Sequence, residues 1–523
     1  MKKTIYSVLS LIAVTLGVVA CDFNVNNNPN SPSDDSMAPS NILPNSEVML
    51  ATFLSSGYEE PTGDFYGTPA ATLNMWMGYW ARSGQYGSNA DQEAYLITST
   101  FAQSAWNHSY DMLYNINEME KKAEAKEFKA FQGAAKIMKS IVFSMLVDNY
   151  DDIIYTEAFK DILAPKYDKG EDVYKALLAD LSLADELLKA SKPENEQGFQ
   201  KSDVMFRGNT ELWRKLGNTV HLRLALRMVN VWDNAAIKSE ISKITANGGG
   251  FLDAGESAEV NPNFKNDKKK QNPFWGQYYK GVDGKIKDTF YRGNLYIIDL
   301  LDGTGDPRLP YFFREVGDRE GGGFVGIPLG EEDQAEKEKH MPGKTNIVAG
   351  PGLAKGVNAA IWLLPSFESL FLQAEAIQRG LLPGDPKAAL AAAVKESFMW
   401  LEVGRYENVL ARSGEISDWK SKLNTSVNDY LDRVVKWDDT ADKLKLVLFE
   451  KYKAMTGVNG FEVFSDYRRT GIPDNLPKTL HSQVGSNHIP YRFIYPTGEA
   501  SSNKANMPAN KNPQTDKVFW AKK

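Results

Sequence analysis

The sequence predicts a mostly α-helical protein: a tetratricopeptide-like scaffold of helical hairpins carrying an irregular, loop-rich lobe. Three observations lead there. Apolar residues recur every three or four positions in eight segments. Those segments fall in four consecutive pairs, as stacked helical hairpins do, although no clean self-match at a fixed period accompanies them. The middle of the chain lacks such runs and is rich in Gly, Asn, Pro and aromatic residues.

The chain starts MKKTIYSVLSLIAVTLGVVAC. Lys2 and Lys3 precede an apolar stretch over 5–19, which is the layout of a secretory signal peptide over 1–20. Ala20 stands directly before Cys21, the only cysteine, as in a bacterial lipoprotein signal. Cleavage there makes Cys21 the N-terminus and the site of acylation, and two or three acyl chains (diacylglyceryl, palmitate) suffice for stable anchoring. The longest compact apolar run beyond the leader is 141–147, so the mature chain is expected to be held by lipid without spanning the membrane. Residues 21–44 are dense in Asn, Pro, Ser and Asp and read as a flexible, lipidated tether. A single body is expected over 45–523.

Within that body, Trp106, Tyr110, Leu113 and Asn117, then Phe131, Ala135, Met138, Val142 and Met145, predict a helical hairpin over 106–147. Val173, Leu177, Leu181, Ala184 and Leu188 predict a third helix, and Leu212, Leu216, Val220, Leu224 and Met228 a fourth. The pattern resumes with Phe367, Leu370, Phe371, Ala374 and Ile377, then Val394, Phe398 and Leu401. Val427, Tyr430, Leu431 and Val434 precede Leu444, Val447, Leu448, Tyr452 and Met455. The helical pairs thus cover about 106–231 and 365–456, and the loop-rich lobe about 247–360 and 471–523. Loops on a rigid scaffold are where binding surfaces commonly lie.

The composition narrows the function. Sixty Lys+Arg against 67 Asp+Glu give a net charge of −7, which argues against a nucleic-acid binder. One cysteine excludes a disulfide framework and any cysteine-based zinc site. The five histidines (108, 221, 340, 481, 488) form no short metal-ligand spacing, and His481 and His488 read as surface residues of a polar loop. No GxSxG elbow occurs. GGGFVG (Gly321, Gly323, Gly326) fits GxGxxG as a string but precedes Pro328 with no helix signal, so it reads as a turn. Gly343-Lys344-Thr345 imitates the end of a phosphate loop, with Glu338 where the first glycine is needed. The pairs Asp151-Asp152 and Glu59-Glu60 read as surface charge. No catalytic residue, metal site or cofactor is assigned.

Two aromatic stretches remain. LNMWMGYWARSGQYG brings Trp76, Tyr79, Trp80 and Tyr86 together with Asn74, Arg82 and Gln85; NPFWGQYY adds Phe274, Trp275, Tyr278 and Tyr279. Sugar rings stack their C–H faces on aromatic rings while amides and guanidinium groups bind the hydroxyls. Trp76, Tyr79, Trp80, Trp275 and Tyr278 are therefore the candidate ligand contacts. For Trp76 and Trp80, four apart, packing into the core or a partner interface is the competing reading.

Four further stretches carry a family resemblance: NNNPNSPSD at 26–34, LPSFESLFLQAEAIQRGL at 364–381, LVLFEKYKAMTGVNGFEVFSDYRRTGIP at 446–473 and PYRFIYPTGEASSN at 490–503. With the leader and helix pairs, they resemble the SusD/RagB-type nutrient-binding lipoproteins. YDDIIYTEAF at 150–159 departs from the family's YGDIPY-like sequence, with Asp151 in place of Gly and Ile154 in place of Pro. The resemblance implies a SusD-like fold and a non-enzymatic binder of glycans at the outer membrane, facing the cell exterior. It also implies docking on a TonB-dependent SusC-like transporter, over whose mouth the protein acts as a lid. Arg468, Arg469, Arg492, Tyr495, Pro496 and Glu499 would be structural. A binder of peptides or another nutrient, a lid without ligand affinity, and a glycoside hydrolase are the alternatives.

Overall fold

The computed structural model describes residues 37–57, 69–315, 323–484, 488–509 and 511–522. The leader, Cys21, residues 22–36 of the tether, Glu59-Glu60 and Gly321 lie outside these residues.

The described helices of eight or more residues are α1 (Pro39–Ser55), α2 (Pro69–Trp76), α3 (Gln103–Glu124), α4 (Lys129–Tyr150), α5 (Gly170–Lys189), α6 (Thr210–Arg227), α7 (Asn234–Asn247), α8 (Leu295–Gly303), α9 (Ser366–Gln378), α10 (Pro386–Trp400), α11 (Trp419–Tyr430), α12 (Lys443–Ala454) and α13 (Gly460–Thr470). All eight helices expected from periodicity are among them, and the fold is mostly α. Consecutive helices pack as α3 on α4, α4 on α5, α5 on α6, and α9 on α10. The α4–α5 approach depends on Gly133: a Cβ there would sit 2.6 Å from Leu188 Cγ, so a larger residue forces the helices apart.

Five of these helices, α1, α2, α7, α8 and α13, lie outside the periodicity reading. Helix α1 starts inside the expected tether, with Pro39 in its first turn and Ile42 and Leu43 buried, so the body begins before residue 45. Glu47 on its buried face accepts the Val204 amide at 2.8 Å, and burial beside Asp203 pushes its carboxyl well above the usual range. Helix α7 packs Ile237, Ile241 and Ile244 on Leu222, Leu226 and Leu372 in a separate small core. Helix α13 lies in the 446–473 motif. One expectation needs amending: α4 is long and apolar enough to cross a membrane by length and composition, but 83% of its apolar window is buried as a core helix.

The 446–473 and 490–503 motifs hold the scaffold together. Five carboxylates (Asp148, Glu368, Glu375, Glu462, Asp466) and five cations (Arg223, Arg227, Lys451, Arg468, Arg469) from α4, α6, α9, α12 and α13 meet in a buried seam. Arg227 reaches Glu462 at 2.5 Å and Asp466 at 3.0 Å; Lys451 reaches Asp466 at 2.6 Å; Arg469 reaches Glu375 at 2.5 Å; Arg223 pairs with Glu368. Burial opposes ionisation of Asp466, but Lys451, Arg469 and Arg227 outweigh it and hold its carboxyl well below the usual range. The same contest, won by Arg469 and Arg379, holds Glu375 at about 2. Downstream, Arg492 and Tyr495 donate to the Tyr150 carbonyl, and Tyr495 also to that of Asp152 at 2.8 Å, satisfying the open C-terminal end of α4. There Asp151 takes φ +70°, where glycine is favoured, and its Oδ1 accepts the Phe519 amide at 2.9 Å.

The loop-rich lobe is stitched by two short antiparallel ladders. β1 (Trp80–Arg82) pairs with β3 (Tyr291–Gly293), and β2 (Ala258–Val260) with β4 (Ile361–Leu364). The first ladder ties the Trp80 region to the 290s, although the two are far apart in sequence.

Candidate functional site

The NPFWGQYY stretch forms a short helix, Pro273–Tyr278. Asn272 caps it, accepting the Trp275 amide at 2.9 Å while donating to the carbonyls of Ala359 and Ala360. Pro273 suits the first turn because its missing N–H would be unpaired there. Helical spacing then sorts the four rings into two faces. Phe274 and Tyr278 point inward: Phe274 packs on Trp362 at 5.0 Å, and Tyr278 on Trp80 at 4.9 Å with its hydroxyl donating to Ser56 O at 2.8 Å. Trp275 and Tyr279 stay half-buried at the surface as an edge-to-face pair with centroids 4.7 Å apart. The Arg314 guanidinium lies 3.9 Å from the Tyr279 centroid and donates to Ala349 O at 2.8 Å, which fixes that ring from behind.

Beside the same helix opens a cleft of about 410 Å³, walled by Thr52 and Ser56 at the end of α1, by Gln271 and Gln277, and by Lys268, Lys269 and Lys287. Two of its polar atoms, Thr52 Oγ1 and Gln277 Oε1, are buried and make no hydrogen bond among the described residues. Aromatic faces next to unpaired amide and hydroxyl groups can take a molecule with C–H faces and hydroxyls.

The expected contacts divide sharply. Trp76, Tyr79, Trp80 and Tyr278 are each no more than 2% exposed and offer no ring face to solvent, which corrects the reading of them as ligand contacts. Trp76 stacks on Phe101 at 5.6 Å and donates its indole N–H to Gln92 O at 2.8 Å. The Tyr79 hydroxyl donates to Tyr452 O at 2.5 Å, and Trp80 lies between Tyr278 and Tyr291. Their polar neighbour Arg82 is spent on buried Glu93 at 2.9 Å. Of the five, only Trp275 reaches the surface. Arg314, Thr52 and Gln277 carry no signal in the sequence, and Tyr279 belongs to the NPFWGQYY stretch but not to the expected contacts. A helical period applied inside NPFWGQYY pairs Trp275 with Tyr279 and so would have found one of them.

Other sequence features resolve as scaffold. Asp152 pairs with Lys169 at 2.7 Å. Gly323 and Gly326 lie in an irregular segment, where a Cβ on Gly326 would meet Leu295 Cα at 2.4 Å. His481 is buried, not a surface residue, and its Nδ1 accepts the Gln483 amide at 3.1 Å. Among the described residues no group of His, Cys, Asp and Glu could hold a metal.

Comparison with known proteins gives these features a context. The family model SusD-like_2, described as starch-binding and associating with the outer membrane, matches residues 41–496. No curated protein matches. Solved structures do, with like folds at low identity. A SusD homologue from Bacteroides fragilis superposes with a TM-score of 0.70 at 20% identity, covering 92% of this chain and 99% of its own. A SusD/RagB family protein from Bacteroides thetaiotaomicron gives 0.70 at 20%, covering 93% and 99%. A chitin-binding SusD homologue from Flavobacterium johnsoniae gives 0.66 at 21%, covering 92% and 97%. With the family match spanning most of its length and the same fold throughout, the chain belongs to the SusD-like family.

Proposed function

We propose that this protein is a lipid-anchored, non-catalytic glycan receptor of the outer membrane that passes its ligand to a TonB-dependent SusC-like transporter and covers that transporter as a lid. The observation that carries the binding part is the half-exposed Trp275–Tyr279 pair beside the 410 Å³ cleft, with unpartnered Thr52 Oγ1 and Gln277 Oε1 in its wall. Family membership supports the ligand class, since the family is described as starch-binding, and the outer-membrane location. Cys21 at the end of the leader supports the anchor, and the resemblance to the SusD/RagB-type lipoproteins supports a body facing the cell exterior. Exposed apolar side chains, Tyr114 on α3 and Ile162 with Leu163 (98% exposed) in the loop between α4 and α5, offer a surface for the transporter.

A polysaccharide panel tests the reading: the purified protein binds at least one glycan and leaves its chain length unchanged. Binding of none, or shortening of any, overturns it. Cys21→Ala moves the protein from the membrane fraction to the soluble one, and persistence in the membrane would refute the anchor. Co-purification of a large β-barrel protein from native membranes checks the transporter partnership.

A further inference from the structure

The charge around the cleft deepens that glycan-binding reading, on which this inference rests. Between residues 265 and 288 stand seven lysines and three aspartates, in a chain whose net charge is −7. Two of the aspartates are engaged elsewhere. Asp267 pairs with Lys270 at 3.2 Å and lies 3.7 Å from Lys265, and Asp288 is buried beside Arg292. Asp283 is the one carboxylate among the described residues of the cleft wall, and its Oδ1 accepts the Lys285 amide. The three lysines of the wall, Lys268, Lys269 and Lys287, are exposed and have no carboxylate within ion-pair distance among the described residues.

We propose that this cleft selects glycans bearing negative charge, as uronate carboxylates or sulfate esters. Unpaired ammonium groups around a concavity attract an anion over about 8–10 Å at moderate ionic strength, beyond which salt screens them. In a protein of net charge −7, this lysine-rich edge runs against the overall balance. Thr52 Oγ1 and Gln277 Oε1 in the wall supply the hydroxyl-binding groups that separate a charged sugar from a bare anion. Trp275 and Tyr279, on the adjacent face of the same short helix, are placed to stack a neighbouring sugar of the chain.

The test compares matched pairs: polygalacturonate with its methyl ester, and dextran sulfate with dextran, each titrated at low and at high salt. At low salt the charged member of at least one pair binds tenfold or more tighter than its neutral counterpart, and the advantage shrinks at high salt. Which pair responds tells carboxylate from sulfate. Replacing Lys268, Lys269 and Lys287 by Gln removes the advantage, whereas the same change at exposed Lys238, Lys395 and Lys504 leaves it. Equal binding within both pairs, an advantage that survives the cleft variant, or one lost equally in the control variant overturns the proposal. In those cases glycan binding itself still stands. Binding to no polysaccharide, charged or neutral, overturns both.

Discussion

In the scaffold seam, five acids and five bases meet across five helices: Arg223, Arg227, Lys451 and Arg469 pair with the acids, and buried Arg468 donates to the carbonyls of Asp148 and Tyr491. Along the lobe edge, lysines outnumber aspartates and those of the cleft wall are open to solvent. Similar side chains therefore serve opposite ends. A buried cation beside carboxylates is committed to them, and removing one partner leaves uncompensated charge in a dry interior. An exposed, unpaired cation adds little to stability and remains available to a ligand. The aromatic residues divide the same way. Trp80 is enclosed by Tyr278 and Tyr291, while Trp275 keeps part of its ring at the surface.

Substitutions can break this contrast, beginning with the largest effects. Glu462→Ala takes one carboxylate partner each from Arg227, Arg223 and Lys451 and costs about 3–5 kcal/mol, seen as a large fall in melting temperature. Trp80→Ala opens a cavity beside Tyr278, Tyr291 and Gly457 and also costs about 3–5 kcal/mol. If either variant kept the melting temperature of the parent, the seam or the packed ring would not be holding the fold.

The next effect is in the lobe and depends on pH. Burial raises Asp288 to about 6, against the pull of Arg292. Its folded pKa lies above its unfolded one, so the folded state binds more protons. Stability from this group is present below about pH 4, and some 2–3 kcal/mol is lost as pH rises to 6. Asp288→Asn removes that slope from melting curves recorded between pH 4 and 7. Glu375 has the opposite sign. Held at about 2, it contributes stability above the ordinary glutamate range that is lost as pH falls toward 2. Glu375→Gln should therefore flatten acid denaturation, and an unchanged acid limb would count against its pairing with Arg469. The smallest effect on stability is at Trp275, where truncation to Ala changes the melting temperature little.

Much of this was legible in the chain. The eight periodic helices follow from apolar residues three and four apart, which need only a core to face. Helix α1 was hidden because PSNILPNSE shares the composition of the tether before it, and Pro44 interrupts its pattern. Helix α7 carried its signal in Ile237, Ile241 and Ile244, and it makes a small core of its own with α6 and α9. The 446–473 motif is a recognisable string because it supplies Lys451, Glu462, Asp466, Arg468 and Arg469 to the seam, a reason that only their meeting with α4, α6 and α9 makes visible. The site was harder to read. Trp76, Tyr79 and Trp80 look like a binding platform in sequence, but Tyr278 and Tyr291 cover Trp80 where β1 pairs with β3, Phe101, Phe464 and Phe493 enclose Trp76, and Tyr452 covers Tyr79. Such long-range pairing leaves no local mark.

The central claim is that Trp275 and its short helix bind ligand while the rings behind them hold the fold. Calorimetric titration of Trp275→Ala with the tightest-binding polysaccharide of the panel, run beside a thermal melt, tests it most directly. The account predicts a ten- to hundredfold loss of affinity, about 1–3 kcal/mol, with a melting temperature close to that of the parent. Unchanged affinity would contradict it.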